Sequence, residues 1–262
     1  MKKQAVFFLV VMGLLFASCV PTKDLIYLQD KDKSANPLTI NPVMSKPYRL
    51  QTNDVINITI KAINPELVSI FNPAANTASG QSAQNMYFDG FTVDDHGNIR
   101  IPVLGEINVL GFTLDQVRLK VERELLEKYF NQEANIFVTA KLAGLRFTIN
   151  GEVGLPGIKT LFQEKVTILE AVANSGDITL VGDRKNVTVI RQFPHGTEMH
   201  DIDLTDVKVL QSPYYYIQPN DYIYVKPLKQ KTWGTGTTGI QSLGTIITLL
   251  SLGTTVFLLL RN

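Results

Sequence analysis

Cysteine is almost missing from this chain. Cys19 stands alone among 262 residues, so no intramolecular disulfide can form. Histidine is nearly as scarce, with three copies, and there is one tryptophan, Trp233. No HExxH, no nucleophile elbow and no phosphate-binding glycine loop occurs. The acidic pairs fall in turns or on a solvated helix face, a poor basis for acid–base work, so we expect no enzyme and no cofactor. An excess of one charge is also missing: 25 Lys and Arg against 24 Asp and Glu give a net charge of +1. That balance excludes the strongly basic surface of a typical nucleic-acid binder. Charge is absent altogether between Lys231 and Arg261.

What is present at the start is "MKKQAVFFLVVMGLLFASCV". Lys2 and Lys3 form a positive region, Ala5 to Leu15 an apolar run too short to span a bilayer, and small residues precede Cys19. We read residues 1–18 as an export signal. A lone Cys directly after "FAS" resembles the bacterial lipoprotein box, in which the Cys is acylated. Acyl chains on Cys19 would hold the chain at a membrane surface without spanning it. Residues 19–45, with Pro37, Pro42 and Pro47 close by, read as an extended tether, with order beginning near Tyr48.

The fold class expected for the body is α+β: two small β-rich modules at 46–142 and 145–228. "NDVINITIK" alternates, placing Ile56, Ile58 and Ile60 on one face of a strand that follows a turn at Asn53–Asp54. "FTVDDHGNIRIP" predicts a hairpin around Asp95–Asn98. A calcium loop would need Glu at the twelfth position, which is Gly105. "TLDQVRLKVERELLEKYF" carries a capping box, Thr113 and Gln116, ahead of apolar positions Leu114, Val117, Val121 and Leu125 at helical spacing. In the second module Thr167 and Glu170 form another capping box, opening the short helix "ILEAVANSG". "NVTVIRQF" and "YYIQPNDYIYVKP" read as strands, with a polar hairpin between them holding His195, His200, Asp201 and Asp203 at spacings that suit neither one helix face nor one strand face. One repeat is visible: "YRLQTNDVINI" (48–58) and "YYIQPNDYIYV" (215–225) align without gaps. In both, Asn-Asp makes a turn that feeds a strand.

These segments carry a family resemblance. The turn-strand opening, the DxxGxIxxPxxG run at Asp94, Gly97, Ile99, Pro102 and Gly105, and the GxT at Gly111 and Thr113 resemble the polysaccharide export domain of outer-membrane capsule and exopolysaccharide exporters. "INGEVGLPGIKT…TILEAVANSGDI…YIQPNDYIYV" is similar to the soluble-ligand-binding β-grasp domain that follows it there. Only one such module is present, and Asn53 replaces the usual Gly of the first turn. The resemblance implies a lipoprotein ring in the outer membrane that passes polysaccharide outward. It also implies an inner-membrane partner of the polysaccharide co-polymerase or tyrosine-kinase type.

The tail, residues 232–262, is read as linker and helix. At 100° per residue Gln241, Gly244, Thr248, Ser251 and Thr255 form a small-polar stripe, and Leu243, Ile246, Ile247, Leu250 and Phe257 lie opposite. A helix from Thr238 to Leu260 would be about 34 Å long, enough to cross a bilayer core. We therefore expect a C-terminal transmembrane amphipathic helix whose stripe lines a pore, with Trp233 as an interfacial anchor. A simple anchor and a buried soluble helix are the competing readings. With helix axes about 9–10 Å apart, eight helices would leave a gap of roughly 15 Å and four only roughly 3 Å, so a ring of about eight subunits is expected. The competing function is a monomeric envelope lipoprotein whose β-grasp domain binds a glycan.

Overall fold

The computed structural model describes residues 21–32, 44, 46–72, 89–130, 134–193, 195–229, 244 and 246–255. Within these the chain is β-rich. β1 (Val55–Lys61) pairs antiparallel with β2 (Phe91–Thr92) on one side and with β5 (Phe137–Leu142) on the other. β3 (Asn98–Ile101) and β4 (Gly105–Asn108) form a separate two-stranded hairpin. Helix α1 (Leu114–Lys128) lies against β5 and sinks Val117, Val121 and Leu125 into a core with Ile56, Ile58, Ile60, Ile99 and Val138. Both halves of its capping box are made. Thr113 Oγ1 accepts from Gln116 N–H, and Gln116 Oε1 accepts from Thr113 N–H.

The hairpin expected at 91–102 is not formed between those two arms. β2 pairs with β1, and β3 turns instead to β4 through Pro102–Leu104. The chain does reverse at Asp94–Asn98: Asp94 Oδ1 accepts from the backbone N–H of His96 and Asn98, and Asp94 N–H donates to Asn98 O. The conformation of Gly97 (φ 81°) and the Leu110 side chain, which would sit 2.4 Å from a Cβ there, explain why glycine stands at that place.

The second module is a five-stranded mixed sheet in the order β10-β9-β12-β6-β7. These are β6 (Leu145–Gly151), β7 (Gly157–Leu161), β9 (Gly182–Phe193), β10 (Gly196–Ile202) and β12 (Tyr222–Pro227). β12 runs parallel to β6, and every other pairing in this sheet is antiparallel. Helix α2 (Ile168–Asn174) covers one face, contributing Ile168, Ala171 and Val172 to a core with Phe147, Ile149, Val187, Val189, Ile223 and Val225. A two-stranded ladder of β8 (Val166–Thr167) and β11 (Tyr216–Ile217) leads into α2 and β12.

Order begins well before Tyr48. Residues 21–32 fold back onto the second module as a clip. Leu28 N–H donates to Leu204 O, Gln29 N–H to Thr205 O, and Val207 N–H returns to Gln29 O. Lys185 pairs with Asp24 and Lys31 with Asp203, each at 2.6 Å, and Lys208 pairs with Asp32 at 2.8 Å. Tyr27 packs on the core, donates its hydroxyl to Asp177, and lies 5.3 Å beneath the Arg184 guanidinium. Burial, with the Asp177 carboxylate, pushes the Tyr27 phenol up to about 12.

The expected membrane-spanning C-terminal helix is overturned. None of the described helices is long and apolar enough to cross a membrane. The small-polar residues dilute the apolar run, and their hydroxyls turn back on the helix: Ser251 donates to Thr248 O at 2.9 Å and Thr255 to Ser251 O at 2.7 Å.

Candidate functional site between the two modules

The repeated sequence folds into the same device twice. In Gln51-Thr52-Asn53-Asp54, Asn53 takes φ 68° and Asp54 N–H donates to Gln51 O. The Asp54 carboxylate closes the turn by accepting from Gln51 N–H at 2.8 Å. In Gln218-Pro219-Asn220-Asp221, Asn220 takes φ 66°, Asp221 N–H donates to Gln218 O, and the Asp221 carboxylate accepts from Gln218 N–H at 2.7 Å. Asn suits the left-handed third position better than most side-chain-bearing residues. This is why Asn53 serves where the family resemblance leads one to expect Gly.

The two turns differ in what else the buried carboxylate meets. Asp54 also accepts the Tyr48 hydroxyl, at 2.7 Å. Burial raises the Asp54 carboxyl above its ordinary value, against the opposing pull of those two donors. Tyr48 is raised as well, first by burial and then by the Asp54 charge. Asp221 meets a cation: Arg191 Nε donates to Oδ1 at 2.9 Å and Nη2 to Oδ2 at 2.7 Å. Both residues are almost fully buried. Burial raises the Asp221 carboxyl, and the guanidinium pulls it back. Arg191 also donates to Tyr216 O at 3.0 Å and lies 5.0 Å from the Tyr214 ring. His200 stacks on that same ring at 4.6 Å, and the Tyr214 hydroxyl donates to Glu198, which lowers the Glu198 carboxyl.

Gln51 Nε2 reaches Gln192 O across the junction at 3.4 Å. Beside this bridge lies a cleft of about 1370 Å³ lined from both modules. Tyr48, Asn57, Thr59, Phe91 and Lys141 line it from the first, and Phe162, Arg191, Phe193, Tyr214 and Tyr216 from the second. Ring faces alternate with amide, hydroxyl and ammonium groups. Such a wall can pack the C–H faces of a sugar while bonding its hydroxyls. Among the described residues, no group of three or more His, Cys, Asp or Glu converges on one point. His200 is held by Tyr214, Asp201 by Lys226 and Thr188, and Asp203 by Lys31 and Thr205.

The described residues among those expected to line a pore do not meet this cleft. Cys19 and Gln241 lie outside the described residues. Gly244, Thr248, Ser251 and Thr255 are exposed on the C-terminal helical segment and do not line the cleft. Sequence reasoning missed Tyr48, Arg191 and Tyr214, although the repeat pointed at the two turns that hold the site.

Residues 43–141, the first module with its opening turn, match the family described as polysaccharide biosynthesis/export protein. The matched stretch contains the Asp94–Gly105 motif. Two relatives carry the name EPS I polysaccharide export outer membrane protein EpsA. The one from Ralstonia nicotianae is 28% identical over 161 residues, covering 58% of this chain and 41% of that protein. The one from Ralstonia solanacearum is 25% identical over 177 residues, covering 65% of this chain and 46% of that protein. The matched stretch thus spans less than half the length of either relative.

Proposed function

We propose that this chain is a subunit of an outer-membrane polysaccharide exporter, carrying capsule or exopolysaccharide to the cell surface. The observation that carries the reading is the match of residues 43–141 to the export family, seated on a complete, well-packed module. The name printed for both relatives supports it. In this reading Cys19 is acylated and the body stands in the periplasm. About eight copies close into a ring around a conduit, which receives polymer from an inner-membrane co-polymerase partner. Gln241, Gly244, Thr248, Ser251 and Thr255 form the polar side that the C-terminal segment turns toward the conduit. No bilayer-crossing helix is part of this proposal. The protein's role is passage rather than catalysis, through weak, repeated hydroxyl contacts that do not trap the polymer.

Deleting the gene should leave polysaccharide inside the envelope and strip it from the surface, and the full chain should restore it. Undiminished surface polysaccharide in the deletion strain would refute export. The cleft favours a second reading, because it is complete within one chain: a monomeric lipoprotein that binds a glycan there. Mass measurement of the detergent-extracted protein separates the two, since solitary subunits exclude the ring.

A further inference from the structure

The sheet of the second module has two unlike ends, and the strand directions define them. β9 starts, and β6, β10 and β12 finish, at one end. The Phe193–Gly196 turn and the start of β6 lie at the other, where Gln192 meets Gln51 of the first module. At a rise of about 3.3 Å per residue the seven-residue β6 separates these ends by roughly 20 Å.

Both described ends of the body leave from the first of these poles. Pro21 opens the clip, which is held there by the Lys185–Asp24 pair and by Leu204 and Thr205. Leu228 N–H donates to Val181 O beside the start of β9. Cys19 lies two residues before Pro21, and the uncharged run begins four residues after Leu228. The same pole exposes large apolar side chains: Ile26 at 50%, Leu155 at 60% and Leu180 at 65%. Leu155 sits in the β6–β7 connection, where its N–H donates to Ser175 O, and Leu180 directly precedes Val181. Lys23 is exposed on the clip, and Lys185 on β9 is taken up by Asp24.

We propose that this pole is a lipid-contact surface. Ile26, Leu155 and Leu180 enter the headgroup–acyl boundary, Lys23 meets lipid phosphate, and the first module points away from the membrane. Shallow insertion of a few apolar side chains backed by basic residues is how a surface-lying protein gains membrane affinity. The inference rests on the outer-membrane reading above and adds an orientation to it. Phe137 supplies an internal control: it is 61% exposed, yet it sits where β5 pairs with Lys61, at the far end of the first module.

The test uses the full-length chain carrying Trp233→Phe, with a single tryptophan introduced at Leu155, Leu180 or Phe137, in vesicles containing brominated phosphatidylcholine. Tryptophan at 155 and at 180 should be quenched severalfold more than tryptophan at 137. Equal quenching at 137, or none at 155 and 180, overturns the proposal. Protection of 155 and 180 from both brominated lipid and aqueous acrylamide also overturns it, because another copy would then cover the pole. If the protein floats with vesicles but shows no quenching at this pole, the orientation fails and the export reading stands. If it does not float at all, both fail.

Discussion

Replacing Asp221 by Asn removes one charge and little volume, and the structure makes its cost calculable. Asp221 accepts two bonds from Arg191 and one from Gln218 N–H, and the pair is almost fully buried. Asn can keep the turn bond, but its amide group then presents N–H to N–H at the guanidinium. Arg191 cannot shed its proton, so it remains a buried, uncompensated cation, which costs about 3–5 kcal/mol. The matched control is Asp54→Asn. That carboxylate holds the same turn with no cation beside it, and one amide oxygen can accept from both Tyr48 and Gln51. Its cost should stay within about 1 kcal/mol. In urea unfolding followed by circular dichroism, Asp221→Asn should move the second-module midpoint down by at least about 1 M, and Asp54→Asn should barely move the first. Equal costs for the two substitutions would refute the assignment of Arg191 as the difference between the turns.

Arg191→Met leaves Asp221 buried without its partner, but a carboxyl can take up a proton. Its penalty should therefore shrink as pH falls toward the ordinary carboxylate range, which unfolding curves at two pH values would show. In the intact protein the Asp54 carboxyl is raised in the folded state. The folded chain holds that proton longer, so stability is highest below pH 3.8 on this account and declines as pH rises through the raised value. Asp54→Asn should flatten that part of the profile. Tyr27→Ala removes the ring that packs on the core and beneath Arg184 and the hydroxyl bonded to Asp177. Trypsin should then cut after Lys23 or Lys31 at least about tenfold faster, if opening of the clip limits cleavage and its loss is worth about 1.4 kcal/mol. Gly151→Ala would place a Cβ 2.1 Å from Val225 O at φ 94°, and should cost at least about 1–3 kcal/mol in thermal unfolding by prying β6 from β12.

Local chemistry was the part most readable from the chain. Ile56, Ile58 and Ile60 are buried as their alternation required, and both capping boxes form with the bonds their spacing predicts. Pairing partners were less readable, because a turn signal says where a chain reverses but not which strand it meets. Asp94 closes its loop as expected, and yet β2 pairs with β1 and β3 with β4. The clip was hidden for a related reason. "TKDLIYLQDKD" is short and polar, and it is ordered by partners from 150 to 172 positions downstream that no local pattern reveals. At the junction the repeat marked both turns, but Arg191 reads in "NVTVIRQF" as an ordinary polar strand residue. Its role comes from burial against Asp221, a fact of packing. In the tail, length and composition suggested a span, and among the described residues no helix is long and apolar enough to be one.

The clip also decides how load travels through the molecule. The chain enters at Pro21, grips the second module within a dozen residues, and only afterwards builds the first module before returning to complete the second. A pull applied near the start of the chain is resisted by the Gln29–Asp206 bridge and the Lys31–Asp203 pair, not by β1 or α1. The first module is built between the clip and β6, outside the path of that load, and meets its neighbour through Gln51 and Gln192.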